Sequence, residues 1–338
     1  MNILAIESSC DETAVAIVRD GREVLTDCIA SQVALHREYG GVVPEIASRK
    51  HIEAIYPLAD QALKEVGLTR DDIDAVAVTY APGLIGAVLV GVNFAKAAAM
   101  AMNKPLIPVH HIRGHIAANY LAYPELEPPF LCLVVSGGHT MIIEVKDYTD
   151  MRILGTTLDD AAGECFDKVG RVLGMPYPGG AALDKAAQKG NEAKYNLPVA
   201  KPGENPYNMS FSGLKTATLN LIHHAEQVGE ELDIPSLCAS FTAAVSETLV
   251  PRVVRALQET GYRKIAVAGG VAANSRIRAD ILAAAEKLGA EVFMPPLKLC
   301  GDNGAMIGAQ AYYEYLAGNV ADMSLNAYAT KSILGETV

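Results

Sequence analysis

The sequence predicts an α/β protein built from two copies of one unit, and three observations carry that reading. First, Ile3–Ile6 and Ala14–Val18 are short apolar runs separated by the small polar stretch ESSCDET, and a third run begins at Glu23 after the turn-like 19–21; this is a hairpin followed by another strand. Second, the same pattern returns at Phe130–Val135, SGGHT and Met141–Val145, closed by a polar turn over 146–150. Third, each half carries a strand, a glycine-bearing turn and an apolar helix: Ala75–Thr79 with APGLIG and a helix from Ala87, then Ile265–Ala268 with GGVAAN and a helix from Arg276.

Taken in order, the first half, 1–128, continues with an amphipathic helix over Pro44–Val66, in which Ile52, Ile55, Ala59, Ala62, Leu63 and Val66 recur at helical spacing and Gly67 is the stop. The helix from Ala87 to Met102 is apolar nearly all round. It is either deeply buried or a contact with another subunit. The string HHIRGH follows; as a helix it places His111 and His115 at i and i+4, where both imidazoles reach one metal ion. The metalloprotease motif of this spacing has a glutamate general base after the first histidine, and here that position is Ile112, so a water-activating peptidase lacks its base.

The second half, 129–338, is longer because of an insertion over about 175–241, rich in Pro, Gly, Asn and Lys and including SFSGLKT, expected to face the target. Thr157–Gly174 reads as a helix capped by Thr157, and YPGGAALDKAA opens another near Gly180 with Asp184 a turn later. A nucleoside could approach Gly180 closely while Asp184 accepts its hydroxyls, and in AGGVAANSRIR the amide of Asn274 could pair with a base. In GDNGAMIGAQ, Asp302 precedes the last apolar helix, either as an N-cap or as the carboxylate completing a two-histidine, one-carboxylate metal site. The turns at Ser8–Ser9 and at Ser136, Gly137 and Gly138 could aim backbone N–H groups at a phosphate, with Asp11 and Glu12 beside the first as candidate catalytic carboxylates. Lys201, Lys215, Arg276 and Arg278 are candidate phosphate contacts.

Composition bounds the function. The 338 residues are 50% hydrophobic and 20% charged, as in well-filled cores. Acidic residues come too early for a signal peptide, no run of about 18 apolar residues is evident, and the six cysteines show no CxxC pairing, so a cytoplasmic protein without a membrane partner is expected. A net charge of −11 argues against indiscriminate nucleic-acid binding, so an RNA partner requires a local basic patch or another subunit.

The strings IESSCDETAVAIV, HHIRGH, LVVSGGHT, ECFDKVGR, SFSGLKT, VAGGVAANSRIR and GDNGAMI resemble the bacterial TsaD family, the tRNA N6-adenosine threonylcarbamoyltransferases once described as glycoproteases, over essentially the whole chain. The resemblance implies a two-lobed actin-like, Hsp70-like, sugar-kinase fold with duplicated α/β subdomains and nucleotide in the cleft. It implies that His111, His115 and Asp302 bind one divalent metal, iron(II), with zinc(II) as the alternative. It implies that Val134, Val135, Ser136, Gly137, Gly138, Asp167, Gly180, Asp184 and Asn274 contact threonylcarbamoyl-AMP. The acceptor implied is N6 of the adenosine just 3′ of the anticodon in tRNAs reading ANN codons. The partners implied are the paralogue TsaB as heterodimer, the ATPase TsaE and a TsaC-type adenylate synthase. A small-molecule kinase of the same superfold, a nucleotide-gated binding module and a metallopeptidase are the competing readings.

Overall fold

The computed structural model describes residues 1–201 and 203–334; Pro202 of the expected insertion and residues 335–338 of the expected second lobe lie outside the described residues. The chain divides into two compact units. One comprises Met1–Pro128, Lys146–Met151 and the chain from Pro295 on; the other comprises Pro129–Val145 and Arg152–Met294.

The first unit is built on β1 (Asn2–Glu7), β2 (Glu12–Arg19), β3 (Glu23–Ser31), the short helix α1 (Val33–Glu38), α2 (Pro44–Glu65), β4 (Ala75–Ala81), α3 (Ile85–Met102), β5 (Leu106–His110) and α4 (His111–Ala122). Its five-stranded sheet runs β3-β2-β1-β4-β5; β2 is antiparallel to β1 and β3, and β4 is parallel to β1 and β5. β1 and β4 are apolar on both faces and fully buried over Ile3–Ile6 and Ala75–Val78, as expected of strands covered by helices on either side.

The second unit repeats the plan with β6 (Phe130–Val135), β7 (Thr140–Val145), β8 (Met151–Thr156), α5 (Ala162–Val172), α6 (Gly179–Ala187), α7 (Ser212–Val228), α8 (Ile234–Thr260), β9 (Lys264–Ala268), α9 (Ser275–Leu288) and β10 (Glu291–Phe293). Its sheet order is β8-β7-β6-β9-β10, with β6 antiparallel to β7 and parallel to β9. Position for position this is the order of the first sheet, so the duplication read in the apolar runs is present in the strand topology.

Sequence reading assigned everything after 129 to the second half, whereas two later segments belong to the first unit. Residues 146–151 are held there by Arg22, whose guanidinium donates to the Tyr120 and Leu126 carbonyls and to the hydroxyls of Tyr148 and Tyr313, while the Tyr148 and Tyr313 rings stack 3.7 Å apart. The last helix, α10 (Gly304–Leu316), lies on β1, β2, β5 and α4. After it the chain stays on the first unit: Ala321 N donates to Leu106 O, Tyr328 N to Tyr80 O, and Ala329 O accepts from Gly83 N.

Three local expectations change. The helix placed at Thr157 begins at Ala162 instead, because Thr157 forms a bridge with Met209 and its hydroxyl donates to Asp160 O. The stretch over about 175–241 is largely helical: it contains α6, α7 and the start of α8, a 27-residue helix started by Pro235 in its first turn and Asp233 as N-cap. Among the described residues two helices, α3 and α8, are long and apolar enough to cross a membrane by length and composition; α8 is a core helix, with 78% of its apolar window buried, and α3 has 33% of its window buried.

The start of α10 is tied to the sheet by Asp27 on β3, whose Oδ1 accepts from Gly304 N at 3.0 Å. Burial pushes the Asp27 carboxyl up to about 6 from its ordinary 3.8, more than the backbone N–H groups at the helix start lower it. The folded protein therefore holds this proton where the unfolded chain has released it, and stability falls as pH rises from about 4 to about 6. Asp27→Asn keeps the acceptor and removes the charge, so the variant is expected to unfold at a higher temperature than the parent at pH 8, by a margin worth about 2–3 kcal/mol that vanishes near pH 4, as measured by thermal denaturation at both pH values.

Candidate functional site

α4 begins at His111 directly after β5, with His110 as N-cap: its Nδ1 accepts from Ile112 N, and its Nε2 faces the carbonyl of Lys331 at 3.1 Å. His111 and His115 therefore lie one turn apart on a buried face, 7% and 1% exposed, with ring centroids 4.6 Å apart. On the outer side of the same turn Arg113 donates to Ile333 O and Glu314, so the end of the chain and α10 brace the helix from behind.

Asp302 comes from the turn before α10. Asn303, not Asp302, is the N-cap of that helix, accepting from Met306 N, which frees the Asp302 carboxylate to face the histidines. Asp302 Oδ1 lies 3.2 Å from His115 Nε2 and 3.5 Å from His111 Nε2. Gly114 stands where the two helices meet: a Cβ there would sit 2.7 Å from Ile307 Cδ1, so a substitution would force the tip of that side chain to move.

The three residues offer one ligand atom each within 4.8 Å of one another. Bound nitrogen and oxygen ligands about 2.1 Å from a metal lie about 3.0–3.4 Å apart, so the His115–Asp302 distance matches a coordination set and the His111–Asp302 distance lies just beyond it. Two imidazoles and a carboxylate on one side of an ion leave its other positions open, the arrangement of sites that bind iron(II) and admit a substrate. The residues fit a divalent metal.

Around this cluster the structure adds a residue that sequence reading missed. Glu7, the last residue of β1, is fully buried, and its Oε2 lies 3.1 Å from His111 Nδ1. Burial works against the Glu7 carboxylate, but His111 outweighs it and holds the group below its ordinary range. For His111, burial works to lower the pKa, and Asp302 and Glu7 together overcome it and push the ring up to about 9. The available signal was a lone acidic residue closing the apolar run ILAI.

The first serine turn is not the open anion cradle that was expected. Ser8 and Ser9 are buried; Ser8 Oγ donates to Ala87 O at the start of α3, and Ser9 Oγ lies 3.2 Å from His111 Nδ1. Asp11 is 9% exposed beside it. Glu12 accepts from Ser31 Oγ through one oxygen, and its other oxygen is buried with no hydrogen-bond partner. Burial pushes Glu12 up to about 7 despite the Ser31 hydrogen bond, with Asp11 and Asp302 adding to the rise.

In the second unit the expected residues gather around the β6–β7 turn and the ends of α5, α6 and α9. Val134 and Val135 are fully buried strand residues. Ser136 N donates to His139 O to close the turn, and a Cβ on Gly137 or Gly138 would meet nothing, so a ligand can approach both. Asp167 accepts from Gly179 N, starting α6; Gly180 follows, where a Cβ would meet only the Phe166 Cβ, at 3.8 Å. Asp184 accepts from Ser275 N and Oγ, and Asn274 caps α9 by accepting from Arg276 N and Ile277 N, so both side chains already lock α9 in place through acceptor atoms expected to serve a nucleoside. Of the proposed phosphate contacts, Lys215 is bound to Asp160, Arg276 to Glu192 and Asp280, and Arg278 donates to Ala272 O; Lys201 is exposed. SFSGLKT is therefore an internal clamp: Asp159 accepts from Phe211 N and Ser212 N, and Asp160 from Lys168, Lys215 and Ser212, fixing the start of α5.

Two α/β units with the same strand order define an actin-like, sugar-kinase-type fold, here with a two-histidine, one-carboxylate cluster that could hold a metal ion. The fold is shared, at 16% identity and a TM-score of 0.63 over 96% of this chain and 49% of the other, with T. kodakarensis HypF. It is shared too, at 15% identity and a TM-score of 0.53 over 94% of this chain and 99% of the other, with component A of the Acidaminococcus fermentans (R)-2-hydroxyglutaryl-CoA dehydratase. A family model, that of TsaD, tRNA N6-adenosine threonylcarbamoyltransferase, matches residues 23–309. Proteins of that name from Moorella thermoacetica and Clostridium botulinum are 57% and 52% identical, covering 96% and 97% of this chain and 95% and 96% of their own lengths. The chain belongs to the TsaD family, and its activity is transfer of a threonylcarbamoyl group to N6 of adenosine in tRNA. The peptidase and small-molecule kinase readings are not favoured.

The turn at Ser136–Gly138 is backed by α5, whose Gly163 N donates to Ser136 O; a Cβ on Gly163 would come 2.4 Å from that oxygen and 2.7 Å from Gly137 Cα. Gly163→Ala is expected to lower stability by about 1–3 kcal/mol in urea denaturation, since backbone on both sides leaves no flexible atom to yield.

Proposed function

We propose that His111, His115 and Asp302 hold one iron(II) ion, with zinc(II) as the substitute, and that the chain uses threonylcarbamoyl-AMP as donor and the adenosine just 3′ of the anticodon as acceptor. The convergence of two buried imidazoles and a part-exposed carboxylate carries this reading. Bound there, the ion supplies a Lewis acid that polarises a carbonyl oxygen at an open coordination position.

The chain's own residues account for the rest. The open glycines of the Ser136–Gly138 turn, together with Val134, Val135, Asp167, Gly180, Asp184 and Asn274, form the proposed adenylate-binding surface. Adenine N6 attacks the carbamoyl carbon, a C–N bond forms, the bond to the phosphate oxygen breaks, and AMP departs with the electron pair while N6 gives up a proton. An exocyclic amine is a weak nucleophile, so rate comes from alignment and from stabilising charge on the leaving phosphate. Glu12, held near neutrality by burial, is the proposed proton acceptor, with Asp11 beside it sustaining its raised pKa. The acceptor base lies in a single-stranded loop and is presented without opening a duplex.

The partners proposed are a TsaB-type paralogue, a TsaE-type ATPase and a TsaC-type adenylate synthase, all in the cytoplasm. α3 leaves Ile85, Leu89 and Met100 exposed, and α2, which packs against it, leaves Ile52 and Tyr56 exposed; such a patch on one surface fits a docked subunit.

Incubation of the chain with threonylcarbamoyl-AMP, unmodified tRNA and its partners, followed by nucleoside mass spectrometry, is expected to yield threonylcarbamoyladenosine. His111→Ala, His115→Ala and Asp302→Ala are each expected to lose bound metal by elemental analysis and to lower the rate by about 100-fold or more; parental turnover in the metal-free variants overturns the metal reading. Separately, Leu89→Asp with Met100→Asp is expected to abolish co-elution with the TsaB-type partner in size-exclusion chromatography while leaving metal content unchanged.

A further inference from the structure

Glu7 has no place among the metal ligands, yet its carboxylate is the most enclosed charge beside them. It receives three groups: Ser9 N donates to Oε1 at 2.5 Å, the Thr79 hydroxyl donates to Oε2 at 2.6 Å, and His111 Nδ1 lies 3.1 Å from the same Oε2. An ionised carboxylate only accepts, so the Nδ1 that faces it must carry a hydrogen. A neutral imidazole protonated at Nδ1 has its lone pair on Nε2, the nitrogen turned toward Asp302. His115 has no such control: its Nδ1 is buried with no hydrogen-bond partner. The two histidines of the cluster are therefore unequal, one held by a carboxylate and one not.

We infer that Glu7 is a positioning residue for the metal centre, which fixes His111 in the form that offers Nε2 to the ion and holds the ring in its ligating orientation. The inference rests on reading His111, His115 and Asp302 as a metal site. Carboxylates that orient a ligating histidine in this way raise metal affinity without touching the ion.

The surroundings of Glu7 make glutamine a sharp probe. A glutamine has one acceptor oxygen and one donor amide. If its oxygen takes the Ser9 N–H, its NH2 points at Thr79, whose hydroxyl can rotate to accept, and at His111 Nδ1, where donor faces donor. The Nδ1 hydrogen then turns to the Ser9 hydroxyl, 3.2 Å away, or passes to Nε2 and blocks the ligand. If the amide is reversed, NH2 meets the Ser9 N–H, donor against donor. Either way an almost isosteric change removes the carboxylate's hold on His111. Aspartate, shorter by one methylene, fits the space less well but keeps the acceptor.

The test compares the full chain with Glu7→Gln and Glu7→Asp, using zinc(II) as the probe in competition with a chromophoric chelator. Glu7→Gln is expected to weaken zinc binding by about 10–100-fold, with Glu7→Asp retaining more affinity than Glu7→Gln. A role confined to packing predicts the opposite order. In the zinc-loaded parent with 15N-labelled histidine, His111 is expected to be ligated through Nε2 with a hydrogen on Nδ1. Ligation through Nδ1, zinc affinity of Glu7→Gln within about threefold of the parent, or tighter binding by Gln than by Asp each overturns the inference. Should the variants not fold, the nitrogen ligated in the parent decides alone; a parent that takes up no zinc removes the metal reading itself.

Discussion

The packing of α10 against α4 is the constraint on which the centre of the molecule depends. The two imidazoles are fixed by local helix geometry, but their carboxylate arrives from a residue 187 positions after His115, carried in by the helix that lies against α4, with Gly114 facing Ile307 and Met306 where the two meet. The rest of the first unit supports that contact. Asp27 anchors the start of α10 on the sheet, Glu314 and Ile333 O bind Arg113, and Arg22 ties the end of α4 to Tyr313 of α10. Packing of this kind is less tolerant than a surface contact, because a close-packed interior transmits a displacement of one element to its neighbours.

Electrostatics explains why so polar a cluster stands at a core position. Glu7, His111 and Asp302 are costly to bury singly, and each offsets the cost for the next: the imidazole holds Glu7 ionised, and the two carboxylates keep the imidazole basic.

Much of this was legible in the sequence. Fully buried strands read as unbroken apolar runs, so Ile3–Ile6, Ala75–Thr79, Phe130–Val135 and Ile265–Ala268 announced the sheets and their repetition, and the HxxxH spacing announced two imidazoles on one helix face. What stayed hidden depends on contacts distant in sequence. The membership of 146–151 and α10 in the first unit follows from the partners of Arg22, Asp27 and Arg113, which no periodicity marks. SFSGLKT looked like a target-facing loop because its serines and lysine are polar, and only the partners Asp159 and Asp160 show that those groups are spent internally. Ser8 and Ser9 misled for the same reason: a small polar turn reads alike whether its hydroxyls face a ligand or a neighbouring helix.

The return of the chain to the first unit also makes the cluster a product of the tertiary fold. His111 and His115 are one helical turn apart, whereas Asp302 joins them from 187 positions further on and the carbonyls of Lys331 and Ile333 brace α4 from later still. A peptide carrying α4 alone presents two of the three polar groups, so the arrangement exists only where α10 and the segment after it are packed back onto the first sheet.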